Sequence, residues 1–402
     1  MDRSDVIILG GGFVGLTLAI ALDTYGLTSV VIDPADPEAQ LAAGFDGRAS
    51  AIASASWRML EAIGVGALLK GQGCPIRRIE VRDGLSRESL NFESDENDDP
   101  LGIMFENRAV RAALRERALA ASNIRLLAPA TPLSVVRDAH GVTVTLREGQ
   151  IASASLLVGA EGRRSPTREA AGIRIAQWRY DHVAMIGSIE HELPHENIAH
   201  EIFYPAGPFA LLPMLPGNRC CFVWTVKTAD APAMLDLPER AFVAEMRKRI
   251  GGLLGEIRLI SARSSYPLGY HHASTITADR LALVGDAAHG IHPIAGQGLN
   301  LGLRDVGALA EVLVDGARLG LEAGDAQLLA RYERWRALDS LMVGASTDGF
   351  TRLFGAPGRP ARAIRRLGMA AVERIGPLKN YFMAEARGEM GQMPKLLQGL
   401  EL

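Results

Sequence analysis

Two clusters of glycines and carboxylates in this chain have the make-up of a ligand cradle. The first is the turn Gly10-Gly-Gly-Phe-Val-Gly15, with Asp33 following at the end of an apolar run. The second is Leu281-Ala-Leu-Val-Gly285-Asp286, continued by a loop with Pro293, Gly296, Gln297 and Gly298 and a helical pattern from Leu299. Glycines at a helix start let a planar ligand approach the backbone, and the unpaired N–H groups there favour negative charge. Asp33 is placed to accept hydrogen bonds from ribose hydroxyls. Two such sites, one near each end of the chain, suit a long two-ended cofactor better than a mononucleotide.

The elements that must position these residues are legible. Asp5 to Leu9 reads as a strand, Gly12 to Leu22 as a helix and Ser29 to Asp33 as a second apolar strand. This is a βαβ unit with a G-x-G-x-x-G turn at Gly10, Gly12 and Gly15. The first glycine makes the turn, the second admits a pyrophosphate to the backbone, and the third lets helix and strand pack. A tight turn with no ligand is the alternative. Arg78 to Arg82 and Val142 to Leu146 alternate as strands do, and a helix is expected from about Arg108 to Ala121. The acidic run Glu93 to Asp99 reads as a solvated hairpin tip. Leu156 to Ala160 is another buried strand, followed by Glu161-Gly162.

Residues 183 to 268 hold successive strand candidates, Val183–Glu190, Glu201–Tyr204, Phe209–Met214, Cys220–Val226 and Arg258–Ser264. A single helix candidate, Pro238 to Ile250, interrupts them. A mostly antiparallel sheet inserted into an α/β nucleotide fold follows. After Gly298 the pattern is almost all helical.

Composition narrows the function. With 402 residues the chain can bury one large core or two. A net charge of −3 gives no reason to expect nucleic acid. Three cysteines, Cys74, Cys220 and Cys221, lack metal-ligand spacing and point to a reducing compartment, without zinc or disulfides. The adjacent pair should face opposite sides of its strand. Val6 to Leu22 is uncharged, but Asp2, Asp5 and Asp23 flank it and three glycines interrupt it, so a strand, turn and helix explain it better than a leader or membrane span. A cytoplasmic protein is expected. Neither His289 nor His292 has neighbours that would complete a metal set, and no metal is expected.

Together these motifs resemble the single-component FAD-dependent aromatic hydroxylases of the para-hydroxybenzoate hydroxylase type, and within them the ubiquinone-biosynthesis hydroxylases. The stretch His292-Pro-Ile-Ala-Gly-Gln-Gly-Leu-Asn-Leu-Gly-Leu-Arg-Asp305 carries the resemblance most strongly. Asp46-Gly-Arg-Ala-Ser-Ala51, Glu106-Asn-Arg-Ala-Val-Arg111, Gly207-Pro-Phe-Ala-Leu-Leu-Pro213, Tyr266-Pro-Leu268, Phe350-Thr-Arg-Leu-Phe354 and Gly376-Pro-Leu-Lys379 support it.

The resemblance implies an α/β fold: a Rossmann-like FAD-binding domain (residues 1–75, 103–177 and 272–330), an inserted antiparallel substrate domain (76–102 and 178–271) and a helical C-terminal region (331–402). It implies noncovalent FAD, with Gly10, Gly12 and Gly15 at the pyrophosphate and Asp33 at the adenosine ribose. Arg48 would reach the phosphates, and Asn107 and Arg111 would touch the cofactor from their helix; a surface pair with Asp46 is the alternative for Arg48. Gly285 and Asp286 would hold the ribityl chain. Pro293, Gly296, Gln297 and Gly298, continued by Leu299 and Asn300, would face the flavin at the reacting centre. A helix N-terminus there would stabilise the anionic reduced flavin.

Glu161 stands where the family usually has aspartate, which leaves the mode of NADH or NADPH binding open. The implied reaction is hydroxylation of a polyprenylated phenol: NAD(P)H reduces FAD, O₂ adds at C4a, and the hydroperoxide delivers one oxygen. Phe209, Leu211, Leu212 and Met214, with Trp224 nearby, would form a low-polarity wall for the substrate, or equally the core of the sheet. A flavin reductase or halogenase, or a non-catalytic FAD-binding subunit of a quinone-synthesis complex, are the rivals. No Trp-x-Trp pattern occurs among Trp57, Trp178, Trp224 and Trp335. A peripheral position at the inner membrane, a quinone-biosynthesis complex and a homo-oligomer are open. For the first, Ile364, Leu367, Ala371 and Ile375 recur at helical spacing beside a cationic stretch.

Overall fold

The computed structural model describes residues 3–42, 48–86, 88–95, 98–290, 297–337, 368 and 372–402. At its centre Ser4–Leu9 lies between Ser29–Ile32 and Ile151–Gly159, all parallel. Ile124–Leu127 extends this sheet on one side and Leu281–Leu283 on the other, again in parallel. A central parallel strand must be apolar on both faces, and Val6, Ile7 and Ile8 are fully buried. Ser4–Leu9 has the next strand in the chain, Ser29–Ile32, on one side and the much later Ile151–Gly159 on the other, so the strand order reverses there. Such a reversal opens a crevice at the carboxyl ends of the strands.

Phe13–Thr24 covers this sheet, buried from Gly15 to Leu22, and packs against the 22-residue helix Gln297–Arg318. Close approach explains the glycines. A Cβ on Gly10 (φ +106°) would lie 2.4 Å from the Ala160 oxygen, and one on Gly15 would lie 1.9 Å from the Gly10 oxygen. The third contact joins the chain's two ends: a Cβ on Gly302 would lie 2.9 Å from Val14 and 3.1 Å from Gly285.

A second sheet runs in the order Ser264–Ala273, Ile175–His191, Arg219–Lys227, Gly207–Met214, Ile198–Tyr204, Arg78–Asp83, Leu90–Glu93. Only the Ile198–Tyr204 and Arg78–Asp83 pair in this run is parallel. The helix Glu239–Ile250 closes one face, where Phe242 and Met246 pack on Phe209, Leu211, Phe222 and Trp224. Cys220 and Cys221 do face opposite sides, and both are buried.

Three sequence expectations need correction. Arg258–Ser264 is not one strand: Ile257–Leu259 ends against Ile175–His191, and a new strand begins at Ser264. Helix Glu239–Ile250 is preceded by a short one, Ala231–Asp236, started by a proline in its first turn. The acidic run is not a solvated hairpin tip. It follows the hairpin's second strand, Leu90–Glu93, and its carboxylates pair across the molecule, Asp99 with Arg58 at 3.1 Å and Asp98 with Arg387 at 3.5 Å.

The chain's last residues return to the core around the parallel sheet. Leu396 and Leu397 are fully buried, and a Cβ on Gly307 would lie 2.4 Å from Leu397. Arg58 donates to the Leu397 carbonyl at 3.1 Å and pairs with Glu389 at 2.7 Å.

Candidate functional site

Four parallel strands end at one cavity. Gly10 follows Leu9, Asp33 follows Ile32, Ala160 follows Gly159, and Asp286 lies just past Leu281–Leu283. The cavity has a volume of about 1040 Å³. Pockets for drug-sized ligands run to about 1,000 Å³, so there is room for a large cofactor and more.

Both glycine-rich turns reach this cavity. Gly11, Gly12, Phe13 and Val14 line it from one helix start, and Gln297, Gly298 and Leu299 from the other. A Cβ on Gly12 or Gly298 would meet nothing within 4 Å, which leaves open space over the backbone at both starts. No side chain caps the Phe13–Thr24 helix, so its first-turn N–H groups are free for a ligand.

The carboxylates are held by different means. Asp33 accepts from the Gly11 N–H at 2.6 Å and the Ala35 N–H at 2.7 Å, which fixes its carboxylate at the cavity wall. Asp286 is exposed to the cavity, while its main-chain carbonyl accepts from His271 Nε2 at 2.8 Å. Burial pushes the His271 imidazole below its usual range. Asn107 and Arg111 also line the cavity; Asn107 Oδ1 accepts from Ser50 Oγ at 2.7 Å, and the Arg111 guanidinium lies 5.7 Å from the Phe13 ring centroid. This set fits a flavin dinucleotide: open backbone at two helix starts, with carboxylates and a cation between them.

Two expected cofactor residues, Glu161 and Asn300, are turned elsewhere. The Glu161 carboxylate is not on the cavity wall; it accepts from Ser165 Oγ at 2.7 Å, from the Thr167 N–H at 3.1 Å and from the Thr167 hydroxyl. It thereby supports the start of the helix Pro166–Ala170, whose N-cap is Ser165, while Gly162 and Arg163 face the cavity. The Asn300 amide is buried and spans two backbone groups, accepting from the Ala53 N–H at 2.9 Å and donating to the Ala51 carbonyl at 2.9 Å. It pins the strand Ala49–Ala53 to the Gln297 helix rather than facing a ligand. Arg48 is exposed and off the cavity wall, although its carbonyl accepts from the Asn107 N–H at 3.1 Å. Pro293, Gly296 and His292 lie outside the described residues, as does Asp46.

The sequence reading missed the device that holds the second turn. Asp305 is fully buried and accepts from the Gly285 N–H at 2.9 Å, His289 Nε2 at 2.7 Å and Arg336 Nε at 2.7 Å. Burial alone would raise its pKa, but His289 and Arg336 outweigh it and hold the carboxyl below its usual range. Gly285 itself has φ +59°, so Asp305 fixes a backbone shape that only glycine adopts readily. Asp305 closes the signature stretch, and a buried acid eight residues into an apolar helix was the available signal. His289 therefore packs against Asp305 rather than facing the cavity.

The cavity's other half is apolar, and the substrate wall needs correction. Side chains alternate across a strand. Of the five residues expected there, only Leu212 lines the cavity. Phe209, Leu211 and Trp224 face helix Glu239–Ile250, and Met214 packs in a third cluster with Cys74 and Phe92. Pro208, Ala210, Val223 and Thr225 form the wall instead, facing Val81, Phe92 and, from the helix Gly376–Arg387, Leu378 and Phe382.

Comparison with known proteins agrees with this geometry. Residues 3–340 match the family described as the FAD binding domain. The chain is 49% identical to the ubiquinone hydroxylase UbiL of Rhodospirillum rubrum, over 99% of this chain and 94% of that protein. It is 34% identical to the 3-demethoxyubiquinol 3-hydroxylase of Escherichia coli, over 96% of this chain and 98% of that one. The solved p-nitrophenol 4-monooxygenase of Pseudomonas putida superimposes with a TM-score of 0.80 at 17% identity, covering 97% of this chain and 99% of its own, a likeness of fold.

Proposed function

Because the chain belongs to the FAD-binding-domain family, and within it to the ubiquinone-biosynthesis hydroxylases, we propose that its cavity holds FAD along the parallel sheet and a prenylated phenol against the second sheet. The chain is an FAD-dependent monooxygenase of ubiquinone biosynthesis, with NAD(P)H and O₂ as co-substrates. The observation that carries the assignment of places is the single cavity joining two open glycine turns to an apolar wall.

Bound FAD supplies the oxygen chemistry. The protein's part is to bind, orient and exclude water. The Gly12 turn receives the pyrophosphate on first-turn N–H groups, and Asp33 takes the ribose hydroxyls. Asp286 accepts from the hydroxyls of the ribityl chain. The start of the Gln297 helix would turn its N–H groups to the flavin ring, where they would favour negative charge. Glu161 acts through the loop it braces, fixing Gly162 and Arg163 at the cavity edge. The Ala210, Leu212 and Val223 wall keeps the substrate ring dry.

The substrate's prenyl chain places the enzyme at a membrane surface. Residues 352–379 carry seven cations and one acid, Glu373. Among the described residues no helix is long and apolar enough to cross a membrane, and the contact we propose is peripheral. The apolar stripe expected at helical spacing is interrupted at Ile375, an extended residue that precedes helix Gly376–Arg387 and is half exposed; Ile364, Leu367 and Ala371 lie outside the described residues.

The purified protein is expected to carry about one noncovalent FAD per chain. Asp286→Ala should lose most of it while keeping its circular dichroism; full occupancy would remove Asp286 from the cofactor site. NAD(P)H oxidation should consume O₂ faster with a short-chain prenylphenol and yield a hydroxylated ring. Oxidation that yields only hydrogen peroxide would overturn the placement of the phenol in this cavity.

A further inference from the structure

Glu201 is the odd residue in the cavity's apolar wall. It lies mid-strand in Ile198–Tyr204, directly between Val81 of one neighbouring strand and Ala210 of the other. Both neighbours line the cavity, as do Ala199 and Phe203 on the same face of its own strand. The next side chain along, His200, lies 2.9 Å from Glu80. Among the described residues the Glu201 carboxyl has no hydrogen bond or ion pair.

Such a group is costly to keep. The side chain is partly open to the cavity, desolvation by the apolar wall around it pushes its carboxyl up to about 7, and an apolar side chain would fill the position at no electrostatic cost. Unsatisfied polar groups in a folded wall call for an explanation, and a ligand that completes them is one. The cavity says what kind of ligand. An anionic group would be repelled by the carboxylate, and the surroundings are apolar. A neutral aromatic ring with an O–H donor satisfies both.

We propose that Glu201 is the hydrogen-bond acceptor for the ring hydroxyl of the aromatic substrate, and that it makes the enzyme select phenols over their O-methyl ethers. This rests on the phenol reading above and adds to it the residue that recognises the hydroxyl. Held at the sheet wall, that hydrogen bond fixes which ring edge is presented to the flavin. Glu385, on helix Gly376–Arg387, is a second carboxyl on the cavity wall whose pKa is raised by burial. It faces the wall from a different element, so the two carboxyls are separable by substitution.

The test is ligand binding to the FAD-loaded protein at pH 8.5, read from the perturbation of flavin absorbance. The probes are 2-prenylphenol and its methyl ether. Wild type should bind the phenol about tenfold or more tightly than the ether, the range of a hydrogen bond to a charged group. Glu201→Ala should bring the two affinities together by weakening the phenol alone, and Glu201→Gln, which keeps the shape, should give a partial loss. Flavin content and melting temperature check that both variants are folded. Equal affinities in wild type, a preference undiminished in a folded Glu201→Ala or Glu201→Gln, or one abolished by Glu385→Gln instead, would overturn the assignment to Glu201. If neither ring perturbs the wild-type flavin, the phenol reading itself falls, and this inference with it.

Discussion

Asp33, Asp286, Asp305, Glu161 and Glu201 are five acids near one cavity, and their surroundings give each a different task. Asp33 and Asp286 face the cavity, one held by N–H donors and the other by its own carbonyl's partner. Glu161 and Asp305 are spent inside the protein. Glu201 alone among them is both apolar in its surroundings and partnerless, which ties stability to pH. Its folded pKa, about 7, lies above the ordinary 4.5. The stability of the neutral form is therefore fully present below pH 4.5 and is lost as pH rises through 7. The loss amounts to at most about 3 kcal/mol, at 1.36 kcal/mol per unit. Glu201→Gln should match wild type in urea denaturation at pH 4.5 and be more stable at pH 8. Parallel pH profiles for the two proteins would show that Glu201 is solvated in the folded state.

At the scale of elements, the site depends on a join between chain segments. Helix Gln297–Arg318 meets the Gly285 turn through Asp305, the strand Ala49–Ala53 through Asn300 and the C-terminal tail through Gly307 and Glu311. Asp305 bears the most, since it neutralises Arg336 and orients His289 in a fully buried setting. Asp305→Asn keeps the shape but removes the charge, leaving a buried arginine uncompensated. A loss of about 3–5 kcal/mol is expected. Flavin content should fall with it, because the Gly285–Asp286 turn loses its anchor. Chemical denaturation together with the flavin-to-protein absorbance ratio checks both; a variant of unchanged stability would show that Arg336 finds another partner.

At the scale of the molecule, two sheets share one cavity, and helix Gly376–Arg387 closes its apolar side. Arg387 pairs with Asp98, Lys379 with Glu373, and Asn91 donates its N–H to Glu373 at 3.2 Å. The helix that brings Leu378 and Phe382 to the cavity's apolar half also carries Lys379, the last cation of the 352–379 run, and we propose that this run meets an anionic membrane surface. Flotation with anionic liposomes should retain the protein at low salt and release it as salt screens the charges. Charge reversal at Arg362, Arg365 and Arg366 should abolish that retention; unchanged flotation would place the contact elsewhere.

The sequence by itself determined the nucleotide-binding half. The turn at Gly10, Gly12 and Gly15 and the strand ends at Asp33 and Asp286 were legible because a tight strand-to-helix turn needs glycine, and a strand that must be buried on both faces needs an unbroken apolar run. Helix Asn107–Leu119 and four of the five strand candidates in residues 183–268 were legible for the same reason, since periodicity is a local property. Which face of those strands meets the substrate was not. Alternation separates Phe209, Leu211 and Trp224 from Ala210, Leu212 and Val223, but both sets are apolar, and only the packing of helix Glu239–Ile250 decides which is core. The fates of Asn300, Glu161 and Asp305 were hidden likewise: a polar side chain's partner lies wherever folding brings a matching group, 247 residues away for Asn300 and Ala53. Spacing along the chain specifies elements, whereas the partners of polar side chains are decided only when distant elements meet.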